Sequence, residues 1–319
     1  MGDNKGYISF SERSPLVQLG ISFLIVSVSG MALMTILSLT GIAIFGVDVT
    51  LLGDISLASG NNEIFFLRYL LIVQEVSLFI IPAIIIRYLM KSSSPQITGD
   101  LKRPSAGDAI LVVILAFALF PITSFTGRLN SEMAFPQWLS GLETWIDEKE
   151  DSIGQIFDIL MKHDSAGLLA LNLLVIAILP ALGEELIFRG VMQKILADVF
   201  RKKYLAVWIT AFFFSFVHLQ FYGFLPRLIL GLAFGYLYLW SASLWLPIIA
   251  HFVNNAVPTL GAYFYGWDSY NQGSGALSGK DFLGLILPVA MAIIILSLFR
   301  SRNMKAHLGS NKNDEITGF

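Results

Sequence analysis

The chain has 319 residues, 55% of them hydrophobic and only 14% charged, with a formal net charge of −2 and a mean hydropathy of +0.70. A soluble domain carries about a quarter charged residues, so most of this chain's solvent is lipid, and without a basic tract interleaved with exposed aromatics nothing calls for nucleic acid as a partner. Zero cysteines exclude a thiol nucleophile, a thiolate metal site and a disulfide scaffold, leaving Glu, His, Asn, Ser and Lys to carry any chemistry.

Hydrophobic runs long enough for a ~30 Å hydrocarbon layer follow one another at 15–45, 65–89, 109–127, 166–192, 204–220, 224–241, 243–262 and 282–299. None shows the alternation of a barrel strand, and lipid offers no partner for bare backbone amides. The expected fold is therefore all-α, a polytopic membrane bundle of about eight transmembrane helices. The first run is too long for a removable signal peptide and lacks a small-residue cleavage site, so it reads as a retained helix. No repeat, Pro-rich linker or low-complexity block interrupts the chain.

Between the third and fourth runs, segment 128–165 carries Trp138, Leu139, Leu142, Trp145, Ile153, Ile156, Phe157 and Leu160 at near-helical spacing. One or two helices on the outer membrane surface, or a cap packed only on protein, both fit this pattern. Loop charge orients the whole. Lys5 and Arg13, then Lys91, Lys102 and Arg103, then Lys194, Arg201, Lys202 and Lys203, then Arg300, Arg302 and Lys305 fall at alternate ends of the spans. Asp48, Asp54, Glu63 and the acidic run from Asp147 to Asp151 fall at the opposite ends. The expectation is a multi-pass protein of the plasma (inner) membrane with both termini cytoplasmic.

An ionisable group inside a span costs at least ~2.5–3.5 kcal/mol, so each is a functional candidate or half of a neutralising pair. The stretch AILPALGEELIFRGVMQKILADVF places Glu184, Glu185 and Arg189 on one span; AVWITAFFFSFVHLQ buries His218; LWLPIIAHFVNNAVP buries His251, Asn254 and Asn255. Counted at helical rise from the nearest cytoplasmic marker, Glu184 lies about 15 Å from Lys194, His218 about 22 Å from Lys203, and His251 and Asn255 about 12 and 18 Å from Ser243. All occupy one slab, so three antiparallel helices can gather two carboxylates, two imidazoles and an amide.

Helix geometry divides the labour. Glu185 and Arg189, spaced i,i+4, are expected to pair. Glu184, turned roughly 100° away, stays free for another neighbour and is the better catalytic carboxylate. His251 and Asn255, also i,i+4, present two donors to one point, as an oxyanion hole requires. Asn254 reads as helix packing. Arg68 and Glu75 on the second span read as a structural link or a contact to this cluster, and Arg227 as snorkelling or meeting a headgroup. Gly231 and Gly235 form a small-xxx-small step for close packing. Each polar residue taken singly also fits an ordinary interhelical hydrogen bond; the set of them does not.

EELIFR at 184–189, FSFVH at 214–218 and HFVNN at 251–255 resemble the three signatures EExxxR, FxxxH and HxxxN of the CAAX protease and bacteriocin-processing (CPBP, or Abi) family. The resemblance covers roughly residues 166–260. It implies a catalytic core there, with 1–165 as N-terminal helices plus the amphipathic segment and 261–319 as a last helix and tail. It further implies an intramembrane endopeptidase in which Glu184 and His218 activate a water, His251 and Asn255 stabilise the oxyanion and Arg189 locks Glu185. No metal or other cofactor is needed for that chemistry. The implied partner is a membrane-associated peptide or lipidated protein, cleaved within the bilayer.

Four other readings stand beside this one. Glu184, Glu185, His218 and His251 offer ligands for zinc, but HExxH is absent. Serine chemistry lacks a GxSxG turn, and presenilin-type chemistry its GxGD aspartate. A non-catalytic protein, whether bacteriocin immunity factor, scaffold or transporter, is the fourth; transport would call for polar groups in both halves of the chain.

Overall fold

The computed structural model describes residues 9–48, 60–91, 100–101, 103–133, 135–162, 165–267 and 279–316, with no strand among them. The helices are α1 (Pro15–Phe45), α2 (Asn61–Met90), α3 (Ala106–Ser131), α4 (Ser140–Met161), α5 (Ala166–Phe200), α6 (Lys203–Phe216), α7 (Phe224–Ser241), α8 (Trp245–Tyr265) and α9 (Gly279–Ile316). By length and composition α1, α2, α3, α5, α7 and the Phe282–Asn303 part of α9 are fit to cross a bilayer. The protein is a polytopic helical membrane protein. Its outer surface is apolar, with Phe23, Met31, Leu39, Ile286 and Leu287 all exposed, while the buried interior holds most of the polar side chains discussed below.

Several expected boundaries move. The fourth span does not end near 192 but runs on to Phe200, because Gln193 and Lys194 find partners inside the bundle. The fifth is shorter than expected: α6 ends at Phe216 and is only 14 residues long. His218 therefore lies on the turn after the helix, where Leu219 adopts a left-handed φ of 52°. Residues 128–131 belong to α3, and the amphipathic segment is one helix, α4, entered through a short 3-10 turn at Gln137–Leu139. Lys5, Asp54 and Lys102, counted in the charge pattern, lie outside the described residues, as do the side chains of Lys91 and Lys305.

The core sits where α3, α7, α8 and α9 meet, around Leu115, Phe234, Leu246 and Ile295; a second cluster joins α1, α2 and α5 through Ile86, Val191 and Ile195. The small-xxx-small step on α7 packs as its spacing predicts. A Cβ on Gly231 would lie 3.0 Å from both Cα and Cβ of Ala211 on α6, and one on Gly235 would lie 2.9 Å from a Val207 methyl. Backbone cannot yield as a side-chain tip can, so Gly231→Ala is expected to lose about 1–3 kcal/mol by overpacking. A lower melting temperature in detergent reads that loss.

A polar hub ties the positively charged end of the bundle together. Asp100, between α2 and α3, accepts from Arg87 Nη2 at 2.9 Å and Nη1 at 3.2 Å, from Lys194 Nζ at 2.5 Å and from the Tyr238 hydroxyl at 3.0 Å. Its carbonyl accepts from the Leu244 amide at 2.8 Å. Burial pushes the Asp100 carboxyl up, but hydrogen bonds and charge from Arg87 and Lys194 outweigh it and hold it below its ordinary range. Three helices, α2, α5 and α7, are thus pinned to one carboxylate. Lys194, taken from sequence as a surface marker, is one of these internal partners, with only 21% of its side chain exposed.

Candidate active site

Glu184 lies near the middle of α5, 16 residues from Phe200, or about 24 Å at helical rise. Its carboxylate faces two imidazoles: Oε1 is 4.0 Å from His218 Nε2, and Oε2 is 3.9 Å from His251 Nε2. Glu184 Oε2 is buried and makes no hydrogen bond. The expectation that this carboxylate escapes the Arg189 pair is met. The three signature segments, on α5, at the end of α6 and on α8, do converge on it.

Glu185 and Arg189 form the i,i+4 ion pair, Nη1 to Oε1 at 2.7 Å, with both side chains fully buried. Burying two charges costs several kcal/mol each, so an Arg held this way needs more than one partner. Arg189 has them. Its Nη2 donates to the Gly231 carbonyl at 3.0 Å, and its guanidinium lies 4.7 Å from the Phe214 ring centroid and 5.6 Å from that of Phe234. The glycine on α7 therefore serves the site twice, admitting α6 closely and offering a carbonyl to Arg189.

Glu185 has a second task that spacing alone did not reveal. Its Oε1 lies 3.0 Å from His251 Nδ1. A carboxylate already engaged by Arg189 accepts, so His251 Nδ1 carries the proton and Nε2 points its lone pair at Glu184 in the neutral ring. His218 is held in the same sense, with Nδ1 2.8 Å from the Phe214 carbonyl, which can only accept. Both rings spend their Nδ1 hydrogens on fixed acceptors. Both leave Nε2 facing one carboxylate.

Aromatic rings fix the imidazoles further. Phe234 stacks on His251 at 5.4 Å between centroids, and Phe214 meets His218 edge-on at 5.4 Å and His251 at 5.8 Å. Phe214 thus touches Arg189 and both histidines. Its place four residues before His218, one helical turn away, was the available signal for this role.

Both polar atoms of Asn255 engage partners other than Glu184. Its Nδ2 donates to the Ile176 carbonyl at 3.1 Å, and its Oδ1 accepts from Asn254 Nδ2 at 3.1 Å. Asn254, expected only to pack, orients its neighbour. Ile176 sits in a π-helical turn, Leu173–Ile178, and two more such turns, Glu75–Ile80 and Phe188–Met192, border the cluster. Insertion of an extra residue into a helix re-aims nearby groups, which is why π turns collect at functional sites.

The remaining polar residues separate. Arg68 donates from Nε to Asn172 Oδ1 at 2.9 Å and so ties α2 to α5. Glu75 packs beside Gly183, whose Cβ position lies 3.2 Å from Glu75 Oε2, and that oxygen makes no hydrogen bond. Arg227 bonds to Gln220 through its side chain and carbonyl rather than leaving the bundle for a headgroup. Among the described residues no group of three or more His, Cys, Asp or Glu is arranged to hold a metal ion.

Residues 166–257 match the family model for type II CAAX prenyl endopeptidase Rce1-like proteins. No curated protein and no solved structure matches the chain. The matched segment runs from the first turn of α5 to the HFVNN signature on α8 and contains Glu184, Glu185, Arg189, His218, His251 and Asn255. The segment that builds the site is thus similar to the Rce1-like type II CAAX prenyl endopeptidases over residues 166–257.

Proposed function

We propose that this protein is an intramembrane endopeptidase acting on membrane-associated or lipidated substrates, with Glu184 and His218 activating a water and His251 and Asn255 stabilising the oxyanion. The observation that carries this reading is the Glu184 carboxylate between two imidazole Nε2 atoms, at 4.0 and 3.9 Å. A water making bonds of about 2.8 Å to two acceptors 4.0 Å apart subtends about 90°, close to its own bond angle. Such a water gives one hydrogen to Glu184 and the other to His218, and turns a lone pair outward to a carbonyl carbon.

The protons then balance. As the water oxygen bonds to the scissile carbonyl carbon, its proton passes to Glu184; when the C–N bond breaks, Glu184 returns that proton to the leaving amine. His251 donates from Nε2 to the oxyanion only when its ring holds a second proton, and the Glu185 carboxylate on Nδ1 then holds that ring in place. Asn255 has a second amide N–H besides the one given to Ile176, and this is the other oxyanion donor. Asn255→Ala is accordingly expected to lower the rate by about 10²–10³, the usual loss for one such donor. Single-turnover cleavage in liposomes measures it, and a rate within threefold of wild type removes Asn255 from the oxyanion hole.

The loop charges support an orientation with both termini cytoplasmic, and the plasma membrane is the location we assign to it. Comparing membrane peptidomes of cells carrying wild-type protein or Glu184→Ala tests the activity and identifies substrates together. Peptide ends that disappear with Glu184 support the reading; identical peptidomes refute it. The same assay in strong chelator distinguishes the metal-free scheme from a zinc peptidase, since activity lost to chelator and restored by zinc sinks the scheme above.

A further inference from the structure

Helix α4 and the 3-10 turn before it carry two distinct faces. Projected at 100° per residue, Trp138, Leu142, Trp145, Ile153, Ile156 and Leu160 fall on one side, and Glu143, Asp147 and Glu150 on another. The apolar side is a single stripe, yet the protein covers only half of it. Toward the C-terminus Leu160 is buried with Ile159 against Leu67, and Ile156 packs beside them. Toward the N-terminus the stripe emerges: Trp138 is 81% exposed, Trp145 47% and Leu142 44%.

The acidic side grips the turn that follows His218. Glu150 Oε1 accepts from the Tyr222 amide at 2.9 Å, and Asp147 Oδ1 from the Tyr222 hydroxyl at 2.6 Å. The hydrogen bond to Asp147 pushes that hydroxyl up to about 12, so it stays a donor at ordinary pH. The Phe135 and Phe221 rings lie 4.8 Å apart, and Asn130 Oδ1 accepts from the Leu225 amide at 2.9 Å. The segment 130–150 therefore clamps residues 221–225, immediately after the left-handed Leu219 that turns the chain out of α6.

What covers the bare half of the stripe follows from where α4 is tied. It joins the last turn of α3 to the first turn of α5, both helices fit to cross a bilayer, so it lies at the level where acyl chains meet headgroups. Indoles are favoured at that level, and an amphipathic helix there lays its apolar face into the membrane. Lys149 projects within the stripe itself, between Trp145 and Ile153, and its stem is long enough to carry the ammonium out to the headgroups. The packed half of the same stripe already lies against the walls of α2 and α5.

We propose that the stripe formed by Trp138, Leu142 and Trp145 seats α4 in the bilayer interface, and that through Glu150 and Asp147 this anchored helix holds the His218 turn in place. Lipid, rather than a second copy of the chain, is the occupant, and membrane contact is thereby coupled to the position of an imidazole in the site. The importance of that coupling for cleavage rests on the peptidase reading; the lipid contact does not.

The test uses the full-length protein in nanodiscs of plain or brominated phosphatidylcholine, with Trp138→Phe/Trp145→Phe as reference. The emission missing from the reference is that of the two indoles, and it is expected to be quenched in the brominated discs. Trp138→Phe alone, at an exposed position, gives the same readout if the double variant fails to assemble. Removing the stripe with Trp138→Ser/Leu142→Ser/Trp145→Ser is expected to speed hydrogen exchange at the Tyr222 amide by about tenfold or more, leaving α5 amides unchanged. Indole emission indifferent to bromine overturns the proposal, as does a dimer that shields the indoles or Tyr222 exchange that ignores the stripe. None of these readouts uses turnover. A chain that cleaves nothing yet shows the quenching and the exchange refutes the peptidase reading and supports this one.

Discussion

Glu184→Gln is expected to lower peptide hydrolysis by about 10²–10⁴, the loss that follows removal of a general base, while the protein folds as before. Glutamine keeps the shape of the side chain but cannot take the water's proton. Nor can it balance a protonated His251 3.9 Å away. Stability should hold or rise, because Glu184 Oε2 is buried without a hydrogen bond and a neutral amide relieves that desolvated charge. Single-turnover cleavage in liposomes, read beside the melting temperature in detergent, separates the two effects. His218→Ala should lose activity similarly, since it removes the second acceptor for the same water. If Glu184→Gln or His218→Ala cleaves normally with an unchanged melting temperature, the water-activation scheme is wrong.

Local spacing exposed the parts of this site that lie on one helix. Glu185 and Arg189 pair because residues four apart share a helix face, and Glu184 avoids the pair because its neighbour is turned away. Counting depth puts the three segments in one slab, and in the structure both histidines face Glu184, His218 from the turn after α6. Contacts between helices were not legible in the same way. The Glu185–His251 bond joins residues 66 positions apart, and no pattern on α5 or α8 says which carboxylate takes Nδ1. Asn255 finds Ile176 because a π turn re-aims that part of α5, and nothing in the run LLVIAI marks one.

The end of α6 was hidden for a related reason. Leu219, an ordinary apolar residue, takes the left-handed conformation that usually falls to Gly or Asn. An uninterrupted hydrophobic run thus conceals a turn: its length predicts a helix through His218, whereas α6 stops at Phe216. Lys194 misled in the opposite direction. A lysine beside a span normally marks the surface, but Asp100, 94 positions away, makes an interior location tolerable. Period and composition report whether a segment faces lipid; they do not report polar partners supplied from elsewhere in the fold.

Arg189→Met carries the largest expected loss of stability, about 3–5 kcal/mol, because it strips a buried carboxylate of its cation. Glu185 would keep only His251 Nδ1, the Gly231 carbonyl would lose its donor, and Phe214 and Phe234 would lose the guanidinium between them. The double change Glu185→Leu/Arg189→Met should recover most of that loss, since replacing both members of a buried pair by apolar groups is close to neutral or stabilising. Its activity should not recover with it. Without Glu185, His251 has no acceptor fixing its Nδ1 proton and the orientation of its ring. Reversible unfolding in detergent micelles and single-turnover cleavage, measured on wild type, single and double variants, set the two outcomes side by side. A double variant that regains both stability and turnover would show that Glu185 serves Arg189 alone; one that regains stability only identifies the carboxylate as the group that orients His251.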